Sequence, residues 1–214
     1  MSYSVIIPAA GKGERLHLGY NKVLHRKNGT TVIERTVAVF LNDRECQQIL
    51  LVIPPDEEEI FRALFDAKQV QLVYGGATRS LSVWNALPLV SQEKVLVHDG
   101  ARCLLSKALL KRVTQKLEEG YVNVIPTVGA KDAILVDGKY PPQSVRPKLV
   151  QTPQGFRTVD LKKAMEQAYA DQTLSSFKDD SSIVAHYLGF TPEEVEGDYE
   201  NIKITTKDDL RWLG

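Results

Sequence analysis

The sequence predicts an α/β fold, a Rossmann-like three-layer α/β/α sandwich built on a mostly parallel sheet with a protruding β-arm. Three observations carry this prediction. Short apolar runs rich in β-branched residues recur along the chain, segments with helical periodicity lie between them, and short loops join the two. A chain of 214 residues with 43% hydrophobic residues can bury a full core, and we expect residues 1–214 to form a single domain.

The apolar runs have the length of buried strands. Unbroken apolar runs, rather than alternating ones, are typical of parallel strands that are covered on both faces. Strands that alternate with helices need crossover connections, which favour a mostly parallel sheet between two helical layers. In chain order the predicted strands are Val5 to Ile7, Ile49 to Ile53, Val70 to Val73, Lys94 to Val97 and Val122 to Ile125.

The first two intervening segments carry signals for helix starts. Thr31 with Glu34 forms a capping-box pattern ahead of apolar residues at helical spacing. Asp56 with Glu59 forms the same pattern ahead of the next helix. Both segments are therefore predicted to be amphipathic helices that begin at these caps.

Further helices are predicted in the second half of the chain. Ser106 is expected to cap a helix that Gly120 ends. Helical periodicity returns from Leu161 to Tyr169 and again from Ile183 to Leu188, and a final helix is expected to begin near Thr206.

The alternation breaks after Pro126. Asp137-Gly138 is a tight-turn signal between two extended stretches, and Pro141-Pro142 is incompatible with a core helix. We expect residues 131–151 to form the β-arm of the same domain. Arms of this kind commonly exchange contacts across a two-fold axis, which predicts a homodimer.

Charge and cysteine content argue against several classes of protein. Lys plus Arg and Asp plus Glu number 27 each, so the chain has no net field to hold nucleic acid or an anionic membrane. No apolar run reaches the length of a membrane span and the start of the chain has no basic targeting region, so we expect a cytoplasmic protein. Cys46 and Cys103 are too few for a disulfide framework or a zinc site.

The loop after the first strand is the strongest functional signal. Ala9, Ala10 and Gly11 expose backbone that can approach a phosphate or a base, and Arg15 and Lys22 supply positive charge. The loop lacks the third glycine of a dinucleotide fingerprint and the Gly-Lys-Ser/Thr ending of a P-loop. It predicts a nucleoside triphosphate site, although an ordinary turn with solvated cations explains the loop alone equally well.

Three later clusters extend this site. Gly75 to Ser82 lies between a strand and a helix, where backbone amides and a hydroxyl could contact a base. Asp99 ends the next predicted strand and is favoured as a Mg²⁺ ligand over a helix cap or a partner of Arg102. Lys203 lies in an extended segment near the chain end, where spacing alone does not distinguish it from a surface lysine.

Together these segments resemble the 2-C-methyl-D-erythritol 4-phosphate cytidylyltransferases, which have a nucleotidyltransferase fold. The likeness runs along essentially the whole chain, in six ordered motifs. They are Pro8 to Gly11 with Arg15 and Lys22, Gly75-Gly76 with Arg79 and Ser82, Val97 to Arg102, Gln151 to Phe156, Asp179-Asp180, and Val195 to Gly197 with Asn201 to Lys203.

The resemblance implies a Mg²⁺-dependent homodimer that joins CTP to methylerythritol phosphate and releases pyrophosphate, in the non-mevalonate isoprenoid pathway. The nucleophile is an anionic phosphate oxygen, so the absence of a catalytic triad is no objection. The implied roles are transition-state stabilisation by Arg15, Lys22 and Lys203, cytosine and ribose recognition by Ala9, Ala10, Gly11, Gly76 and Ser82, sugar-phosphate contacts by Arg102, Arg146 and Thr152, and Mg²⁺ binding by Asp99.

Departures from the family pattern fall on both sides of the implied site and weaken the alcohol-phosphate side more than the CTP side. The usual Pro-Lys-Gln is Asn21-Lys22-Val23, Ala77 replaces a common aspartate, and Ala133 and Lys178 replace common threonines. Arg146 lies six residues before Thr152, where eight is usual. Ribitol-5-phosphate cytidylyltransferase, nucleotidyltransferases acting on sugar 1-phosphates, and a non-catalytic nucleotide-binding module therefore remain alternatives.

Overall fold

The computed structural model describes residues 1–11 and 19–213. Its main sheet runs in the order β10-β7-β9-β6-β1-β4-β5, with β8 paired to the outer part of β7. A separate two-stranded ribbon is formed by β2 and β3. The strands are β1 (Tyr3–Pro8), β2 (Arg26–Lys27), β3 (Thr30–Thr31), β4 (Cys46–Ile53), β5 (Gln71–Tyr74), β6 (Lys94–Val97), β7 (Asn123–Gly129), β8 (Lys148–Val150), β9 (Gln154–Arg157) and β10 (Glu193–Glu196).

The sheet is mostly parallel, as predicted, with one interruption near its middle. β6, β1, β4 and β5 run parallel to one another, and β10 runs parallel to β7. β9 lies antiparallel between β6 and β7, while β8 is antiparallel to β7. Each predicted strand is present; the bounds of β6 are those predicted, and the others differ from the apolar run by a few residues.

Helices cover both faces of the sheet. Alternate residues of β1 point to opposite faces, with Val5 and Ile7 in one apolar cluster and Ile6 in the other. The first cluster is closed by α1 (Val32–Leu41), α2 (Glu58–Leu64) and α4 (Lys107–Glu118), and the second by α3 (Arg79–Ala86), α5 (Thr158–Ala170) and α6 (Asp180–Leu188). This is the predicted three-layer arrangement. None of the helices in the described part of the chain is long and apolar enough to cross a membrane.

The helix starts differ in how well the local pattern predicted them. Thr31 and Glu34 form the full capping box of α1, and the Ser106 hydroxyl caps α4. The second capping-box prediction was wrong: α2 begins at Glu58 and no side chain caps it. Pro54 and Pro55 open a 3-10 turn at Pro55–Glu57, which places Asp56 inside a turn rather than at the extended position that a capping residue needs.

The final helix and the arm also differ from the prediction. The final helix is a 3-10 helix at Lys207–Leu213, whose start is held by the Asp209 carboxylate accepting from the amides of Thr205 and Thr206. Between β7 and β8, Asp137 and Gly138 form the predicted turn, both with positive φ, but only the bridge between Val136 and Lys139 pairs across it. Two short strands with little to pack against cannot hold a longer ladder.

Candidate active site

A cavity of about 820 Å³ opens at the edge of the sheet where β1, β4, β5 and β6 end. The carboxyl ends of parallel strands meet there, which is where open α/β sheets bind their ligands. The loop after β1, the loop after β5 and the residues after β6 each form part of its wall, together with the segment that carries Lys203. Its lining residues are Pro8, Ala9, Ala10, Gly11, Lys22, Val23, Pro54, Pro55, Asp56, Gly75, Gly76, Ala77, Thr78, Arg79, Ser82, Asp99, Gly100, Ala101, Lys203 and Thr205.

Two glycines allow these loops to meet. A Cβ atom added to Gly75 would lie 2.5 Å from the Cβ of Ala10, and one added to Gly100 would lie 3.0 Å from the Pro8 carbonyl oxygen. Any side chain at Gly75 would therefore push the β5 loop away from the end of β1. Close backbone approach is the physical reason for glycine at both positions.

Hydrogen bonds fix the shape of the two backbone loops. The Ser82 hydroxyl accepts from the Gly76 amide (3.1 Å) and donates to the Thr78 carbonyl (2.9 Å), so Ser82 holds the turn into α3. The amide of Ala9 donates to the Val52 carbonyl, and the carbonyl of Ala9 accepts from Asn21. Ala9 thus has both backbone groups engaged, so the half-buried Ala10 and the exposed Gly11 are better candidates for contacting a ligand.

Asp99 is the electrostatic centre of the cavity. Its Oδ1 lies 3.1 Å from Arg79 Nε, and its Oδ2 lies 3.0 Å from Lys203 Nζ and 3.5 Å from Arg102 Nε. Burial alone would raise the pKa of Asp99, but Arg79, Lys203 and Arg102 outweigh burial and hold the pKa far below its ordinary value. Asp99 is therefore an anion across the whole physiological pH range.

Arg79 connects Asp99 to a second buried carboxylate. Its Nη1 donates to Asp180 Oδ2 at 2.7 Å, and Asp180 is fully buried at the first turn of α6. Burial raises the pKa of Asp180 even though Arg79 opposes the shift. One guanidinium thus ties the carboxylate at the end of β6 to the start of a helix on one face of the sheet.

The buried residues His98 and Thr152 hold the backbone of Asp99 in place. The Nε2 of His98 donates to the Arg102 carbonyl (2.9 Å), so its Nδ1 accepts from the Thr152 hydroxyl (3.1 Å). The same hydroxyl accepts from the Asp99 amide at 3.1 Å. Burial lowers the pKa of His98 to about 4, so the ring is neutral at pH 7.

This buried ring makes stability depend on pH. The pKa of His98 is about 4 in the folded protein and about 6.5 in an unfolded chain, so the unfolded state binds more protons between these values. The contribution of the neutral His98 ring to the free energy of unfolding is complete above about pH 6.5. It falls by up to about 3 kcal/mol as the pH decreases toward 4. Urea unfolding of the wild type from pH 4 to 8 measures this slope.

Two variants assign the slope to this histidine. His98→Gln should flatten it, whereas His186→Gln, which alters an exposed ring, should leave it intact. An unchanged slope in the His98 variant would contradict the assignment.

The segment that carries Lys203 is fastened on both sides of the lysine. Asn201 is fully buried. Its side-chain amide donates to the Thr152 carbonyl (2.8 Å), and its backbone carbonyl accepts from the Arg102 guanidinium (2.7 Å). The Ile204 amide donates to the Ala101 carbonyl (2.9 Å). These bonds hold Lys203 over Asp99 with its ammonium group still partly exposed to the cavity.

Comparisons with known proteins identify the family of this chain. Residues 3–212 match the family model described as 2-C-methyl-D-erythritol 4-phosphate cytidylyltransferase. The chain is 40% identical over 219 residues to the protein of that name from Bacillus velezensis, covering 98% of this chain and 93% of that one. The chain belongs to the 2-C-methyl-D-erythritol 4-phosphate cytidylyltransferase family.

Solved structures of the same family share the fold. The cytidylyltransferase of Thermus thermophilus superposes with a TM-score of 0.81 at 32% identity and covers 99% of this chain and 96% of its own. The enzyme of Francisella tularensis superposes with a TM-score of 0.86 at 28% identity, covering 100% of this chain and 98% of its own. The nucleotidyltransferase fold predicted from the sequence is therefore confirmed.

The structure brings most of the residues implied by the family resemblance into one place. The residues that line the cavity are Ala9, Ala10, Gly11, Lys22, Gly76, Ser82, Asp99 and Lys203. Arg102 and Thr152 lie beside them and are bonded to Asp99 and its neighbours. Arg146 lies instead in the exposed segment between β7 and β8, where its guanidinium donates to the Gln143 carbonyl. Arg15 lies outside the described residues.

The candidate list taken from the family resemblance omitted Arg79 and Asp180, although both stand in the motifs. Arg79 occupies the first position of α3, where the positive end of the helix dipole disfavours a cation. An arginine at this position indicates a fixed anion nearby, so the sequence alone could have predicted an acidic partner for Arg79. Asp179 caps α6, which leaves the adjacent Asp180 to be explained by a partner such as Arg79.

Proposed function

We propose that this chain catalyses cytidylyl transfer from CTP to 2-C-methyl-D-erythritol 4-phosphate, giving the CDP-alcohol and pyrophosphate. The observation that carries the proposal is a cavity that combines the loop backbone of Ala10 and Gly11 with two lysines, Lys22 and Lys203, in a chain that matches the family over nearly its full length. Backbone groups suit a base, and fixed cations suit a triphosphate.

The reaction needs charge stabilisation more than proton transfer. A phosphate oxygen of the alcohol phosphate attacks the α-phosphorus of CTP, and the bond from that phosphorus to the oxygen bridging the β-phosphorus breaks. Pyrophosphate leaves with the bonding electron pair. Because the nucleophile is already anionic, the neutral, buried His98 is not required as a base.

The lysines carry the main electrostatic role in this proposal. Negative charge grows on the non-bridging oxygens of the α-phosphate and on the departing pyrophosphate, and positioned cations stabilise it. Lys203 is assigned to the α-phosphate, and Lys22, together with Arg15, to the transition state. Arg79 and Arg102 are committed to Asp99 and Asp180, so we assign them to fixing the site.

Mg²⁺ is proposed as the divalent cation. Asp99 is proposed as the single protein carboxylate, because Mg²⁺ commonly takes one or two carboxylates together with substrate phosphates and water. Both oxygens of Asp99 already face cations, so Mg²⁺ would have to share this carboxylate with Arg79, Arg102 and Lys203. Among the described residues no three His, Cys, Asp or Glu side chains are placed to hold a metal together, so the nucleotide and water would have to supply the remaining ligands. Bound there, Mg²⁺ would offset part of the charge on the triphosphate.

The arm is proposed to complete the site across a homodimer. Large apolar side chains on residues 131–151 are exposed, including Leu135, Val136, Tyr140 and Val145, and Tyr140 is 73% exposed. An exposed apolar stretch of this kind is typical of a surface that docks on a partner. Arg146 lies on the same segment, so we propose that it contacts the alcohol phosphate in the cavity of the second copy.

The first experiment measures pyrophosphate release from CTP and Mg²⁺ with purified protein. Methylerythritol 4-phosphate and ribitol 5-phosphate are supplied in parallel, at equal concentrations. Turnover with the methylerythritol substrate alone is the expected result. Turnover with ribitol phosphate alone, or with neither, would overturn the proposal.

Arg146→Ala tests the arm. Loss of a charge-assisted contact to the phosphate should raise the KM for methylerythritol phosphate about 10- to 100-fold and leave the KM for CTP nearly unchanged. Steady-state kinetics with each substrate varied in turn measures both values. An unchanged KM for the alcohol phosphate would remove Arg146 from the site.

Mixed dimers then decide which copy supplies the arginine. Arg146→Ala protomers have an intact Lys22, and Lys22→Ala protomers have an intact Arg146. If the arm crosses the dimer, mixing the two variants creates one complete site and activity rises above the sum of the separate samples. Activity equal to that sum would place Arg146 in the cavity of its own chain.

A further inference from the structure

Asn21 is bonded to three segments that contribute to the cavity wall: the end of β1, the loop after β4 and the turn that carries Lys22. Its side-chain nitrogen donates to the Ala9 carbonyl at the end of β1 and to a carboxylate oxygen of Glu57, both at 2.8 Å. Its side-chain oxygen accepts from the Val23 amide at 3.3 Å. Asn21 is 3% exposed, and its bonds to Ala9 and Val23 are buried, whereas its bond to Glu57 is partly buried.

The position of Asn21 gives these bonds a direct effect on Lys22. Asn21 is the N-cap of the 3-10 turn Lys22–Leu24, and the first residue of that turn is the lysine that lines the cavity. The bond to Ala9 fastens the turn to β1, and the bond to Glu57 fastens it to the loop after β4. Val23 is buried beside the cavity, which further restricts the turn.

Neither proline nor aspartate could make all three bonds of Asn21. The proline usual in the family pattern at this position has no side-chain donor. Aspartate would keep the acceptor for the Val23 amide but would lose both donors and would face Glu57 with a second negative charge. An asparagine amide supplies donor and acceptor together, which is what the three contacts require.

We infer that Asn21 is a positioning residue that sets Lys22 at a fixed distance from the nucleotide-contacting end of β1. The inference rests on the proposed function for the role of Lys22. Asn21 does not line the cavity, so it acts through its neighbours. A displacement of about 1 Å in a charged group at a reacting phosphate can lower the rate about 100-fold, which sets the size of effect to look for.

Asn21→Ser is the first test. Serine can still cap the turn but is too short to reach Ala9 and Glu57. The expected result is a fall in kcat of about 10- to 100-fold with an unchanged KM for methylerythritol phosphate. Steady-state kinetics and thermal unfolding are measured on the same preparations.

Asn123→Ser is the matched control. Asn123 is also buried, and its amide donates to two carbonyls, those of Ser181 and Phe190, on the far side of the sheet from the turn. Its replacement should lower the melting temperature by an amount similar to that of Asn21→Ser but leave kcat within about twofold of the wild type. Equal kcat values for the two variants would overturn the inference.

Glu57 provides a second test that does not disturb the buried asparagine. Glu57 is only half-buried, so its variants should fold even if Asn21→Ser does not. Glu57→Gln keeps an acceptor for Asn21 and should preserve kcat, whereas Glu57→Ala removes it and should lower kcat several-fold. Equal kcat values in these two variants would also overturn the inference.

The two proposals fail in different ways. Absence of turnover of CTP and methylerythritol phosphate by the wild-type protein would contradict the proposed function. An active wild type together with an equally active Asn21→Ser variant would contradict only the role of Asn21 in positioning Lys22.

Discussion

Lys203→Ala is expected to lower kcat about 100- to 1,000-fold, the size of effect seen when one preorganised donor to a developing negative charge is removed. The ammonium group of Lys203 lies 3.0 Å from Asp99 Oδ2 and stays partly exposed to the cavity, and the backbone on both sides is fastened to the core. Because Lys203 is already held in place, orienting it during the reaction costs little. Pyrophosphate release at saturating substrates measures the effect.

Two further variants test that the charge and its position both matter. Lys207→Ala removes an exposed lysine four residues further along and should retain wild-type kcat. Lys203→Arg keeps the charge but changes its shape and reach, so we expect an intermediate kcat. If Lys203→Ala loses no more activity than Lys207→Ala, Lys203 has no role in the transition state.

Asp99→Asn should damage stability and activity together. The substitution keeps the shape of the side chain but removes the negative charge that Arg79, Arg102 and Lys203 share. Breaking a buried ion pair by neutralising one partner costs about 3–5 kcal/mol, because the remaining charges are left uncompensated. The free energy of unfolding in urea measures this loss, and turnover should fall below that of Lys203→Ala because three cations lose their anchor.

The pH dependence distinguishes this effect from a packing defect. The pKa of Asp99 is lowered in the folded state, so its contribution is complete above its unfolded pKa, about 3.9, and is lost as the pH falls through its folded pKa. The stability gap between the wild type and Asp99→Asn should be constant from pH 7 to about 4 and shrink below that. Asp208→Asn, at an exposed carboxylate, is the control and should show no gap. A gap that persists unchanged at low pH would contradict the electrostatic explanation.

Local patterns in the sequence predicted the fold well because local physics decides most of it. The apolar runs became β1, β4, β5, β6 and β7, and the Thr31 capping box opened α1 as expected. The error at Asp56 has an equally local cause, since two prolines shifted the start of α2. The antiparallel insertion of β9 was not predicted, because a four-residue strand carries no signal for the direction of its partners.

The candidate site was predicted in outline only. Spacing pointed to the loop after β1 and to Asp99, because ligands collect at the carboxyl ends of parallel strands. It did not reveal that Arg79 bridges Asp99 and Asp180, or that the Thr152 hydroxyl is occupied by His98 and the Asp99 amide. These contacts depend on tertiary packing, which no local pattern encodes.

The long reach of the bonds around Asp99 has a consequence for how the molecule folds. Arg79 and Asp180 are 101 positions apart, and Arg102 and Asn201 are 99 positions apart. Closing such long loops costs chain entropy before the contacts return any free energy, so contacts of high sequence separation are slow to form. We therefore expect a refolding chain to regain its helical circular dichroism before it regains the ability to bind a nucleotide, with an interval during which the scaffold exists and the catalytic pocket does not.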